Sequence, residues 1–268
     1  MININTIKTD NFTMEYFKFG TGKRNFVILP GLSVQSVMGS ADAISGAFNI
    51  GQDDFTFYVI DRKKELPQEY SIYDMARDTA EAVKALGLKD NYFFGASQGG
   101  MVAMTIAIEY PELVKKLAIA STSSHVTDEQ YENLDKWIEL ARKGEKEKLY
   151  LCFGEMIYPP AVFEQFREYF IETSKTVTDD DLKRFIILAS GTKDFNVTDR
   201  LSEIHCPVLT TGTFEDRVLD SDATLEIAEN LDYRPDFQLY LYNGFGHASF
   251  DTAPDFKKRV YDFFMEGE

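Results

Sequence analysis

The stretch NYFFGASQGGMVAM, residues 91–104, holds one serine at the point where two kinds of pattern meet. Residues 91–96 are a short apolar run of the kind that makes a buried strand. From Gln98 onward, small and apolar residues run to Tyr110-Pro111, a helix with a proline stop. Ser97 stands at the join, with Gly95 and Gly99 two positions to either side. The spacing is G-x-S-x-G, and it carries weight because a strand precedes it and a helix follows. A serine at such a turn sits in a strained backbone, and bulky residues at 95 or 99 would collide with neighbouring elements. The helix N-terminus offers free N–H groups and partial positive charge to a developing oxyanion. A glycine-rich turn with a passive serine would read the same way, so the partners of Ser97 decide its meaning.

Outward from this stretch the same alternation repeats. INTIKT (4–9) and FTMEYFKFG (12–20) alternate and suggest an opening antiparallel hairpin. NFVILPG (25–31), FTFYVID (55–61), VKKLAIAST (114–122), CPVLTTGT (206–213) and DFQLYLYN (236–243) read as further strands, making eight with 91–97. SIYDMARDTAEAVKALGL (71–88) has helical periodicity, Ser71 as N-cap, acids early and Gly87 as a stop. TAPDFKKRVYDFFMEG (252–267) is the closing helix. Strands alternating with helices imply an α/β fold, a mostly parallel eight-stranded sheet with helices on both faces.

Residues 124–196 break this rhythm with four successive helical segments and no strand. They are expected to form a mobile helical cap inserted into a core made of residues 1–123 and 197–268. YLCFGEMIYPP (150–160) is too densely apolar for one helix face, and Gly154 and Pro159-Pro160 interrupt it. Phe153 and Ile157 are therefore candidates to face a substrate cleft.

A serine hydroxyl needs a base, and the chain has three histidines. His247 lies in YNGFGHASF, a glycine-rich loop just after the last strand, where parallel sheets place catalytic loops. His205 precedes a strand and falls at the opposite edge of the sheet. His125 follows AIASTSS at the entry to the insertion, placed to line a pocket. The base in turn needs an orienting carboxylate, and TTGTFEDRVLD offers Asp216, with Glu215 as its competitor. The order Ser97, Asp216, His247 is the order described for α/β-hydrolases.

On these residues the chain resembles the α/β-hydrolase superfamily, and within it the small cap-bearing esterases, lactonases and aminopeptidase-like members. The resemblance spans nearly the whole chain, through GASQG, PGLS after the third strand, EDRV and GHASF. It implies an oxyanion hole from the N–H of Gln98, after the nucleophile, and of Leu32, in the loop after the third strand. Many members read H-G-x in that loop; this chain reads Pro30-Gly31-Leu32, losing a loop-ordering side chain but keeping the backbone donor. Asp216 is four residues after Gly212, where many members have three, which keeps Glu215 in contention.

The implied activity is hydrolysis of a small, uncharged ester, thioester or lactone. Carbon–carbon bond hydrolysis and amidase or aminopeptidase activity use the same triad. A non-catalytic ligand-binding protein on this fold is the alternative of another class. The net charge of -16 repels phosphate backbones and anionic lipid, so a small molecule is the expected partner, and neither nucleic acid nor a membrane. Cys152 and Cys206 lack metal-site spacing and are expected to be buried thiols of a reducing, cytoplasmic setting. No metal or cofactor is expected, since the histidines are scattered and no close Cys/His cluster occurs.

Overall fold

The computed structural model describes residues 2–268. Its strands are β1 (Ile4–Lys8), β2 (Thr13–Phe19), β3 (Arg24–Leu29), β4 (Phe55–Lys63), β5 (Asn91–Ala96), β6 (Val114–Ala120), β7 (Val208–Thr213) and β8 (Phe237–Tyr242). Its helices are α1 (Ala41–Ala47), α2 (Ile72–Ala85), α3 (Gln98–Glu109), α4 (Asp128–Arg142), α5 (Lys146–Ile157), α6 (Pro160–Ser174), α7 (Asp179–Ser190), α8 (Asp220–Leu231), α9 (Ser249–Thr252) and α10 (Phe256–Met265). The strands form one eight-stranded sheet in the order β1-β2-β4-β3-β5-β6-β7-β8. β2 pairs antiparallel with β1 and β4, and every pair from β4-β3 to β7-β8 is parallel.

The period-2 alternation of the central strands feeds two cores. In β3, Val27 and Leu29 face the side covered by α2 and α3, while Phe26 and Ile28 face the side covered by α1 and α10. The second side is largely aromatic: Phe26 stacks on Phe57 at 4.6 Å, and Phe57 on Phe19 at 4.7 Å. α3 is buried from Gln98 to Ile108, which explains its unbroken apolar and small composition. α2 starts where Ser71 and Asp74 form a reciprocal capping box, and Gly87, at φ 69°, ends it.

Helices α4 to α7 all fall between β6 and β7. α4 packs on α7 and α5 on α6. The two ends of this segment meet: Val126 N–H donates to Phe195 O at 3.1 Å, and Val197 N–H to Ser124 O at 2.8 Å. Three local expectations change. β4 runs on to Lys63, past the expected end at Asp61. The closing helix starts at Phe256, and α9 occupies 249–252 separately. Cys152 and Cys206 are half-buried, not fully enclosed.

The strand order turns at β3, whose neighbours are β4 on one side and β5 on the other. The crevice at such a reversal, beyond the strands' C-terminal ends, is where open α/β sheets bind ligands. The loop after β3 and the turn after β5 meet there.

Candidate active site

Ser97 occupies the turn between β5 and α3 with φ 51° and ψ −122°. A β-carbon on Gly95 would lie 2.3 Å from Gly99 O, and one on Gly99 would lie 2.0 Å from Leu29 O. Both glycines are therefore required by close backbone approach. The turn is fixed from outside as well. Ser97 N–H donates to Ala120 O at 2.8 Å, and Thr122 Oγ1 donates to Ser97 O at 2.7 Å.

Ser97 Oγ lies 2.9 Å from His247 Nε2, and His247 Nδ1 lies 2.8 Å from Asp216 Oδ2. Asp216 has only an acceptor role when ionised, so Nδ1 carries the proton and Nε2 is left to accept from Ser97. His247 and Asp216 are 4% and 8% exposed, so their contact is shielded from water. The other oxygen of Asp216 accepts from Val218 N–H at 2.8 Å and Leu219 N–H at 3.0 Å, which sets the carboxylate's direction. The ring of Phe250 stands edge-on to His247 at 6.3 Å.

Gly31 lies against Ser97: a β-carbon there would be 3.3 Å from Ser97 Cβ. The loop after β3 thus runs alongside the turn. Among the described residues, no acceptor takes the backbone N–H of Leu32 or Gln98. A cavity of about 330 Å³ opens at Ser97 and extends to both sides of it. Under α4 and α5 it is walled by Leu134, Trp137, Phe153 and Ile157, with Val218 and Leu219. On the other side it passes Ile44 and Phe48 near α1, Phe94, Phe250 and Lys257 of α10. Lys257 Nζ donates to the carbonyls of Phe250 at 2.6 Å and Asp251 at 3.2 Å, and burial lowers its pKa.

Of the residues singled out by sequence, Ser97, Asp216, His247, Leu32, Gln98, Phe153 and Ile157 converge on this cavity or on the chain of contacts beside it. His125 does not line the cavity. Its ring turns away to Glu226, with Nδ1 2.8 Å from Oε2, and the neighbouring Val126 takes the wall position. Glu215 points away from His247 and braces the loop, accepting from Thr213 Oγ1 at 3.0 Å and Gly244 N–H at 2.7 Å. His205 is exposed before β7. Sequence reasoning missed Thr122, Trp137, Phe250 and Arg62. Arg62 alone left a signal, as one of the consecutive charges, beginning with Asp61 and Arg62, that end the apolar run of β4.

The insertion is bonded to the site. Ala248 N–H, next to His247, donates to Ile157 O at 2.9 Å, and Arg217 Nη2, next to Asp216, donates to Tyr158 O at 2.7 Å. Among the described residues there is no cluster of three or more potential metal ligands, and no helix is long and apolar enough to cross a membrane.

Residues 54–150 match the family model described as the alpha/beta hydrolase fold. The chain is 28% identical over 207 residues to a protein of Agrobacterium fabrum named as carbamate hydrolase RutD, covering 76% of this chain and 78% of that one. It is 25% identical over 199 residues to the 2-hydroxy-6-oxo-6-phenylhexa-2,4-dienoate hydrolase of Comamonas testosteroni, covering 71% and 68%. The solved structure of MGS-M2, an alpha/beta hydrolase enzyme from a Medee basin deep-sea metagenome library, superposes with a TM-score of 0.87 at 20% identity over 98% of both chains. With this sheet order, the strained turn after β5 and these similarities together, the chain has the alpha/beta hydrolase fold.

Proposed function

We propose that this protein is a serine hydrolase that cleaves an uncharged ester, thioester or lactone with apolar groups on both sides of its carbonyl. One observation carries this reading: the unbroken contact from Ser97 Oγ to His247 Nε2 and from His247 Nδ1 to Asp216, at 2.9 and 2.8 Å, on a strained turn beside an apolar cavity. Ser97 Oγ attacks the carbonyl carbon as His247 Nε2 takes its proton, and Asp216 stabilises the imidazolium. The tetrahedral oxyanion lies against the Leu32 and Gln98 N–H groups. Collapse expels the leaving oxygen or sulfur with the proton from His247. Water then repeats the sequence on the acyl-enzyme and frees the acid. Residues 124–196 act as the cap that walls one side of the cavity.

Carbon–carbon bond hydrolysis is the second reading, supported by the activity named for the Comamonas testosteroni relative. The lining favours the ester or lactone. A dienoate is an anion, and Lys257, the cationic lining residue, is already bonded to two carbonyls.

The test is a fluorophosphonate probe together with a hydrolysis screen over esters, thioesters, lactones, amides and dienoates. Labelling should occur in the native protein and vanish in Ser97→Ala, whose turnover should fall by roughly 10⁴ to 10⁶. Undiminished hydrolysis by a folded Ser97→Ala protein ends the reading.

A further inference from the structure

Two charged residues at the end of β4 lie outside the cavity, yet both are buried: Asp61 at 5% exposure and Arg62 at 4%. A buried guanidinium is tolerated only with good acceptors, so its contacts define its role. Arg62 Nη2 donates to Pro30 O at 3.0 Å and to Gln98 Oε1 at 3.3 Å. Its Nε and Nη1 are buried without acceptors. A purely structural ion pair would use that donor capacity. Instead, the one nitrogen that is engaged bridges two particular segments. Gln98 carries the contact further, as its Nε2 donates to Leu188 O, near the end of α7, at 2.8 Å. The two contacts fix the amide's orientation, since Leu188 O requires a donor and Arg62 an acceptor. Asp61 in turn accepts from Arg184 of α7 at 2.7 Å and from Ser36, in the loop after β3, at 2.6 Å.

The bridged segments are the ones that bear the two unengaged N–H groups beside Ser97. Pro30 O belongs to the peptide just before Gly31, and only the two dihedrals of Gly31 separate that peptide from the Leu32 N–H. Gly31 has no side chain to limit those dihedrals, and its closeness to Ser97 leaves little room for one. Holding the 30–31 peptide plane is thus the direct way to aim Leu32 N–H. Gln98, on the other segment, bears the second unengaged backbone N–H, and its side-chain Oε1 accepts from the same nitrogen of Arg62.

We propose that Arg62 is a positioning residue for the oxyanion site, holding the Leu32 and Gln98 donors in register and replacing the loop-ordering side chain that Pro30 lacks. The inference rests on the serine-hydrolase reading above. Through Gln98 and Asp61 it also ties α7 to the same two donors, so the seating of α7 and the aim of the oxyanion site are coupled.

The test compares Arg62→Met, Arg62→Lys and Gln98→Met, using the best ester from the screen and the matching trifluoromethyl ketone, which binds as a tetrahedral adduct. Removing a whole oxyanion donor costs about 10²–10³ in kcat, so loosening two should cost about 10- to 100-fold. Arg62→Met should lose that factor in kcat with KM within about twofold, and trifluoromethyl ketone affinity should fall by the same factor. Arg62→Lys should recover part of the loss, because an ammonium reaches Pro30 O but lacks the guanidinium fork. Gln98→Met keeps its backbone N–H and should behave like Arg62→Met. If Arg62→Met does not fold, Gln98→Met decides the matter alone. Unchanged kcat and inhibitor affinity in a folded variant, with or without a lower Tm, overturns the proposal. A native protein that fluorophosphonate labels, beside unaffected variants, rejects the role of Arg62 only. A native protein that is neither labelled nor active rejects the serine-hydrolase reading and this inference with it.

Discussion

Ser97 is held in a left-handed conformation that costs a non-glycine residue roughly 1–3 kcal/mol. Ala120 O, Thr122 Oγ1 and Gly100 N–H fix the backbone around it, so the strain cannot relax. Replacing Ser97 by glycine removes that strain at the expense of about 0.5–1 kcal/mol in chain entropy. Ser97→Gly should therefore be inactive yet melt a degree or more above Ser97→Ala, as differential scanning calorimetry would show; equal or reversed melting points contradict the strain account. At the carboxylate, Asp216→Asn should lower kcat by about 10⁴, because an amide facing Nδ1 favours the wrong tautomer. Glu215→Gln should change it only severalfold, since Glu215 bonds to Thr213 and Gly244. Steady-state rates of the two variants settle the order. Sequence favoured Asp216 but kept Glu215 as a competitor for a physical reason: the directions of adjacent loop side chains depend on the turn, where Val218 and Leu219 N–H grip Asp216. His125 failed in the same way. Its position at the entry to the insertion was legible, but the direction of its ring depends on Glu226, about a hundred residues further on.

At the scale of elements, long periodic stretches were readable. The eight strands and the helices α2, α3 and α4 to α7 follow from apolar spacing, caps and stops. α1 and α9 were not readable, because helices of seven and four residues carry too little periodicity. The elbow shows how tightly elements constrain one another. A β-carbon on Gly99 would meet the backbone oxygens of Leu29 at 2.0 Å and Pro30 at 2.7 Å, and neither can retreat without moving β3. Gly99→Ala should cost about 3 kcal/mol or more, read as a lower urea midpoint. α2 offers a pH-dependent case. Burial raises the pKa of Asp74, but hydrogen bonds from Ser71 and the charge of Arg77 outweigh it and leave the carboxyl below its ordinary value. A folded value below the unfolded one means that the stabilisation is full above about pH 4 and is lost as pH falls through the folded value. Asp74→Asn should flatten the acid-side stability curve in that window while leaving the curve's shape near neutrality unchanged. An acid limb as steep as the native one would show that the capping box does not drive it.

For the whole molecule, the proposed hydrolase activity makes the apolar cavity and the net charge of -16 testable through a substrate series. Each methylene that enters an apolar wall contributes about 0.8 kcal/mol, or roughly fourfold in kcat/KM. Esters of increasing acyl or alcohol length should gain by that factor per carbon until the cavity is full, and anionic esters should be poor. A flat profile, or a preference for charged acyl groups, contradicts the apolar cavity. Trp137→Ala and Ile44→Trp should alter different ends of the series, because they line opposite sides of Ser97. The pairing of Ser124 and Val126 with Val197 and Phe195 has a consequence for how such a chain diversifies. Residues 127–194 leave and return through one narrow neck, and the strands on either side of that neck are already parallel neighbours in the sheet. Because β6 and β7 are already paired, a change in the length of the segment between them need not re-register a strand. An exchanged segment would still have to meet Gln98, Asp61, Arg217 and Ala248, which all bond to it, so a change of segment and the setting of Ser97 go together.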